Sequence, residues 1–309
     1  MISGLSPANE QFLTSLNILQ NNLTQTDQEL ASGLSVNEAS DAPQQIEDIF
    51  EARSALGQAN QTTQNLTTIQ GQVQTADSAV QSSIQLLNQA VSLGSQGASS
   101  GTAASTLNDL ASQVQGLLGQ LVSFANTEVG GVYVFSGDNS GSAAYQLDSS
   151  SPTGVSQVTT PQQSTLQIEG PSGVPFQVSL TAQDLFDQQD SSGNPTANNA
   201  FAALTGLAQA LQSGNTTNIA QALNNVQAAA AYVNSQTGFY GAAENNVSSA
   251  LSLAQKFQTQ DQTQLSGLED ADTATLAVQA TQDSTDLDAA LSAEAHNPTS
   301  SLFDYLPVE

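Results

Sequence analysis

Apolar residues recur along this chain at steps of three and four, and that spacing organises most of it. Phe12, Leu16, Leu19, Leu23, Thr26 and Leu30 form a seam with one polar position, the repeat of a coiled-coil helix. Gly33 ends it. A second helix is expected from Pro43 to about residue 95, interrupted only by Gly57 and Gly71 and spanning roughly 80 Å. Its seam is Leu66, Ile69, Val73, Ala76, Val80, Ile84, Leu87 and Val91. Ser40 or Asp41 can cap its start, with Pro43 in the first turn where a missing N–H is harmless. The run Gly94 to Gly101 reads as a turn, after which Leu107, Leu110, Val114, Leu117, Leu121 and Phe124 form a returning helix. Two such seams joined by a short Gly/Ser loop predict an antiparallel helical hairpin.

The pattern changes at Val129. Val132 to Phe135 reads as a strand and Gly137-Asp138 as a turn. The stretch to about residue 196 holds five of the nine prolines, with short alternating segments at 165–169 and 176–180. Helical spacing then returns. Phe201, Leu204, Leu207 and Leu211 predict one helix, stopped at Gly214-Asn215. Ile219 to Val233 predicts a second, and a third is expected from Ala242 to about Ala295, ended by Asn297-Pro298. The fold class is therefore mainly α. A long antiparallel bundle or coiled coil is formed by the N- and C-terminal regions, with a small inserted β-rich module. The expected division is 1–38 and 275–309 as terminal coiled-coil segments, 39–130 and 197–274 as helical bundle, and 131–196 as the insert.

The terminal seams are long and poor in large apolar residues. A lone two-helix pair of this kind is marginal in water, so it needs further copies or another protein to cover it. The seam residues proposed for this role are Phe12, Leu16, Leu19, Leu23 and Leu30 with Leu276, Leu287 and Leu291.

Composition changes the picture by what it removes. Of 309 residues, only 2 are Lys or Arg, against 28 Asp or Glu, and the formal charge is −26. Acids are not in excess; cations are missing. Nucleic acid and anionic lipid bind through clustered Lys and Arg, so neither is an expected partner. There is no cysteine and a single histidine, His296, which excludes thiolate chemistry and any site needing two imidazoles. The first residues lack the basic region and apolar run of a cleavable signal, and no stretch approaches the ~20 apolar residues of a membrane span. No catalytic, cofactor or metal site is expected. Stacking copies of so anionic a chain should be favoured by salt, and by acid as pH falls through roughly 5 to 4.

Several blocks, in their order and spacing, resemble the bacterial flagellin superfamily. Leu30-Ala31-Ser32-Gly33 and Ser40-Asp41-Ala42-Pro43 stand where family members carry Leu-Ser-Ser-Gly and Ser-Asp-Asp-Pro. Ala125-Asn126, Gly130-Gly131 and Tyr133-Val134-Phe135-Ser136-Gly137 resemble the family's block at the hairpin return. Leu268-Glu269-Asp270-Ala271-Asp272 resembles the acidic stretch before its last helix, and Ser301 to Leu306, with Leu302, Tyr305 and Leu306, its usual ending. Pro43 and that ending favour the hook–filament junction branch over the filament-forming flagellins, which stay the alternative. A secreted coiled-coil adhesin is a third class. The resemblance implies a structural, non-enzymatic subunit of the flagellum, exported without a cleavable signal and located outside the cell. It implies helical assembly with other copies and with axial proteins on the hook and filament sides, and an export chaperone.

Other candidates have plainer readings. His296 beside Asn297-Pro298 reads as a helix C-cap. Glu269, Asp270 and Asp272 lack the full loop of a calcium site and read as a solvated helix face. Arg53 is one of two cations; pairing with a carboxylate on a neighbouring helix or subunit, and exposure to solvent, are both open. The Asn-x-Ser/Thr triplets at Asn22, Asn65, Asn215 and Asn246 read as chance in so Asn/Ser/Thr-rich a chain.

Overall fold

The protein is described here from a computed structural model, which covers residues 7–99, 101–158, 163–169 and 173–296. Among these, the chain forms seven helices: α1 (Pro7–Ser32), α2 (Ile46–Gly97), α3 (Ala104–Ala125), α4 (Ala182–Phe186), α5 (Ala200–Ser213), α6 (Thr216–Glu269) and α7 (Thr273–Ala295). Six short strands lie between α3 and α4. The expectation of a mainly helical chain with an inserted β-rich region is met. Two compact units divide it: residues 61–256, and the two ends, 1–60 with 257–309.

The 61–256 unit holds the large core. Val73, Ala76, Val80 and Leu87 of α2 are buried in one cluster with Leu107, Leu110, Val114, Leu117 and Leu121 of α3. Phe201, Leu204, Leu207 and Leu211 of α5 complete it with Ile219, Val226, Val233 and Tyr240 of α6. Helix α5 is fixed at both ends. The Asn199 side chain accepts from Ala202 N–H at 2.8 Å, and Gly214 takes φ 65°, a common helix stop.

Three boundaries differ from the sequence reading. The turn expected from Gly94 begins later, because α2 runs on to Gly97. Gly94 and Gly97 serve close packing instead: a Cβ on Gly97 would collide with Leu211, and one on Gly94 would crowd Leu207 and Leu223 at 3.1 Å. Second, the two helices expected over 219–233 and from 242 are one, since α6 spans 54 residues. Gly238 and Gly241 do not break it, because Val233, Tyr240, Ala243 and Val247 keep one buried face through them. Third, α6 stops at Glu269 and α7 starts afresh at Thr273, so no single helix reaches Ala295.

The insert is three separate two-stranded antiparallel hairpins. β1 (Glu128–Val129) pairs with β2 (Val132–Tyr133) across Gly130 and Gly131, whose φ values of 61° and 85° are those of a tight hairpin turn. The strand expected to continue to Phe135 ends at Tyr133. Phe135 instead accepts Ala182 N–H at 2.8 Å, and its ring meets Phe186 and Tyr240 edge-on, at 6.1 and 6.4 Å. β3 (Tyr145–Leu147) pairs with β4 (Val155–Gln157), and β5 (Gln167–Glu169) with β6 (Pro175–Gln177).

Between insert and helices lies a buried polar network. Tyr145 donates its hydroxyl to Asp187 at 2.8 Å, and Asn199 and Gln189 donate to the same carboxylate at 2.7 and 2.9 Å. Burial, then the charge of Asp187, push the Tyr145 phenol well above its ordinary range. Asp187 is thus satisfied by neutral donors without a cation.

Candidate functional site: the clasp of the terminal helices

The chain ends build the second unit. Helices α1 and α7 pack side by side and run antiparallel, since Gly33 meets Ala271 while Thr26 meets Asp283. Among the described residues, only Val36, Ile49 and Ala52 are fully buried apolar side chains here. The seam is correspondingly thin. Phe12, Leu16, Leu19, Leu23, Leu276 and Leu287 are half-buried, whereas Leu30 and Leu291 stay 38% and 47% exposed. Leu13, Ile18 and Val278 are exposed as well.

A knot of hydrogen bonds joins the ends of these helices. Gly33 sits at φ 72° and donates its N–H to Glu29 O at 2.8 Å, so the chain turns out of α1 in a conformation that glycine adopts without strain. Ser32 helps, its hydroxyl accepting Leu34 N–H at 3.1 Å. Leu34 then bridges antiparallel to Asp270. Ser35 donates its N–H and hydroxyl to Glu269 O at 2.6 and 3.0 Å, and Ala271 N–H returns to Gly33 O at 3.0 Å. The acidic stretch is where α6 ends and the chain crosses to α7.

Of its acids, Glu269 departs from the reading of a solvated face, while Asp270 and Asp272 stay exposed. Glu269 is buried and pairs with Arg53 Nε at 2.6 Å. The Asp270 backbone makes the bridge to Leu34. Asp272 caps α7, accepting Ala274 and Thr275 N–H at 3.1 and 3.2 Å and the Thr275 hydroxyl at 2.8 Å. Those bonds from Thr275, followed by that of Ala274, hold its carboxyl below the usual value. Arg53 therefore reaches a neighbouring helix of its own chain. His296 takes the C-cap position of α7, with Nδ1 2.7 Å from Ser292 O.

The loop from α1 to α2 departs from the expected capping. Asp41 does not cap a helix beginning at Pro43; its carboxylate accepts Asn37 and Glu38 N–H at 3.0 and 2.7 Å, closing the loop upon itself. Ser40 and Pro43 are exposed in turns, and α2 begins at Ile46. In the other unit, Asn126 ends α3 and ties it to the insert. Its side chain donates to Tyr145 O at 2.7 Å and accepts Ala144 and Tyr145 N–H at 2.9 and 3.0 Å. Leu302, Tyr305 and Leu306 lie outside the described residues.

Two seam members escaped the sequence reading or its significance. Thr26 appeared only as the polar interruption of the first seam. Its partner Asp283 was not singled out, although a heptad count backward from Leu287 through Asp283 and Ala280 to Leu276 lands on it. Among the described residues, no group of three or more His, Cys, Asp or Glu side chains is placed to hold a metal ion, and no helix is long and apolar enough to cross a membrane.

Thin paired termini, a helical core and a β-rich insert define the class of fold. Residues 2–140 match the family described as the bacterial flagellin N-terminal helical region. No match was found among curated protein sequences. Among solved structures, the fold is similar to that of a flagellar hook-associated protein from Vibrio parahaemolyticus. That likeness has a TM-score of 0.62 and 14% identity, over 74% of this chain and 100% of the other. It is also similar to the flagellar junction protein FlgL of Legionella pneumophila, with a TM-score of 0.52 and 14% identity, over 72% of this chain and 99% of the other.

Proposed function

We propose that the chain is a structural subunit of the bacterial flagellum, acting where hook meets filament and adapting one to the other. The observation that carries this is the clasped pair of terminal helices, built on a flagellin-type N-terminal region and leaving apolar side chains exposed on a thin seam. Such a pair gains most of its burial only against further protein. The likeness in fold to a hook-associated and a junction protein supports the junction role over the filament role. Its partners are then other copies of itself, axial proteins on the hook and filament sides, and an export chaperone. It works outside the cell after export without a cleavable signal, and it performs no chemistry. In this reading 1–38 and 275–309 are the assembly segments, 39–130 and 197–274 the bundle, and 131–196 the module displayed outward.

A strain lacking the protein tests this. Hooks should persist while filament subunits escape into the medium, and the gene should restore attached filaments. Filaments attached at normal length would refute the junction role. Finding the protein as the bulk of filament mass would replace it with flagellin.

A further inference from the structure

Thr26 and Asp283 are the fully buried side chains of α1 and α7 among the described residues, and both are polar. Thr26 Oγ1 donates to Asp283 Oδ2 at 3.3 Å, and Gln279 Nε2 donates to Asp283 Oδ1 at 2.8 Å. Leu276, Ala280, Asp283 and Leu287 step by four, three and four, so the carboxylate occupies a seam position where coiled coils place apolar residues. A buried carboxylate there is less stabilising than leucine would be.

What it supplies is choice. Coiled coils ordinarily fix register and partner through flanking ion pairs or one buried polar residue. Ion pairs are not available, because neither α1 nor α7 contains Lys or Arg, while α1 carries Glu10, Asp27 and Glu29 and α7 carries Asp283, Asp286, Asp288 and Glu294. We propose that the Thr26–Asp283 hydrogen bond keeps the terminal pair in register along the helices, beyond the knot at Gly33 and Ala271, and selects α1 as the partner of α7. A slip of one heptad in one direction places Asp283 opposite Leu19, which has no donor. A slip in the other carries it to Gly33, past the end of α1. Pairing of α7 with another α7 would bury carboxylates without a donor from the partner. Each alternative leaves a buried carboxylate with less than its full set of donors, which disfavours it.

The absence of native cysteine makes a direct test possible in the full chain. Counting from Thr26–Asp283, the pair L23C/L287C is in register, whereas L23C/A280C and L23C/E294C report slips of one heptad. In the native background the in-register disulfide should form about tenfold faster than either slipped one. In T26V/D283L that preference should fall to about threefold or less, while the helices melt no lower than in the native chain. D283N, which can still accept the threonine hydroxyl, should retain the native preference. An unchanged preference in T26V/D283L would overturn the proposal, as would a lower melting point for that variant. Loss of preference in D283N equal to that in T26V/D283L would overturn its hydrogen-bond basis.

Discussion

The two units are built from the same long helices, α2 and α6, yet they are held together differently. Residues 61–256 bury Leu, Val, Phe and Tyr in one continuous cluster and satisfy Asp187 with hydrogen bonds from Tyr145, Gln189 and Asn199. The unit made by the ends buries three apolar side chains, the carboxylate of one ion pair and one polar pair among the described residues. The first has the core of a protein that folds alone. The second is a set of directional contacts that fix geometry while contributing little burial, which suits surfaces completed by assembly.

The comparison breaks most readily at the core. Phe201 is fully buried against Tyr145 at 5.0 Å, so Phe201→Ala should cost about 3–5 kcal/mol by urea unfolding. Leu19→Ala, at a half-buried seam position, should cost about 1 kcal/mol or less. Equal losses would erase the distinction between the units.

Asn126 sharpens it on the polar side. Its three hydrogen bonds hold the start of β3 to the end of α3, and Asn126→Ala, which removes all three at a buried junction, should cost about 2–3 kcal/mol. Asn126→Asp retains the acceptors, loses the donor to Tyr145 O and should cost less. In the terminal unit, Arg53→Met leaves Glu269 buried without its cation. Arg53 is half-exposed, so solvent screening limits the loss to about 1–2 kcal/mol. Thermal unfolding followed by circular dichroism would measure both.

The smallest effect is one of pH. The Asp272 carboxyl is held below its usual value by bonds from Thr275 and Ala274. A depressed folded value contributes stability that is present above the unfolded value of about 4 and lost as pH falls through the folded one. Amides of the first turn of α7 should therefore lose protection from hydrogen exchange in acid, and Asp272→Ala should remove that pH dependence. Acid thus loosens this cap even as it relieves repulsion among copies of a −26 chain. Salt, which screens repulsion without protonating the cap, should promote assembly more cleanly than acid. Sedimentation across both variables would tell them apart.

How much of this was legible depended on whether the cause was local. The seams of α1 and α3 were readable because residues such as Leu107, Leu110, Val114, Leu117 and Leu121 repeat within one helix. The continuity of α6 was not, since Gly238 and Gly241 look like breakers until Tyr240 is seen buried between them. Likewise, Glu269 looked solvated because its partner, Arg53, is remote in sequence. Register within the insert was not readable either. Its segments are too short for periodicity to choose a pairing, and β5 and β6 are defined by each other. At the clasp, Gly33 was identifiable as a helix stop. That Asp41 closes its own loop instead of capping α2 depends on backbone positions that no pattern encodes.

Amide hydrogen exchange on the isolated chain and on assembled material tests most directly the claim that the terminal unit is completed by other protein. In the isolated chain, amides of residues 10–32 and 273–296 should exchange far faster than those of α3 and α5, whose protection should approach that of global unfolding. On assembly, the same terminal amides should become as protected as the core. Terminal helices already as protected as α3 in dilute isolated chain, or left unprotected after assembly, would contradict the account.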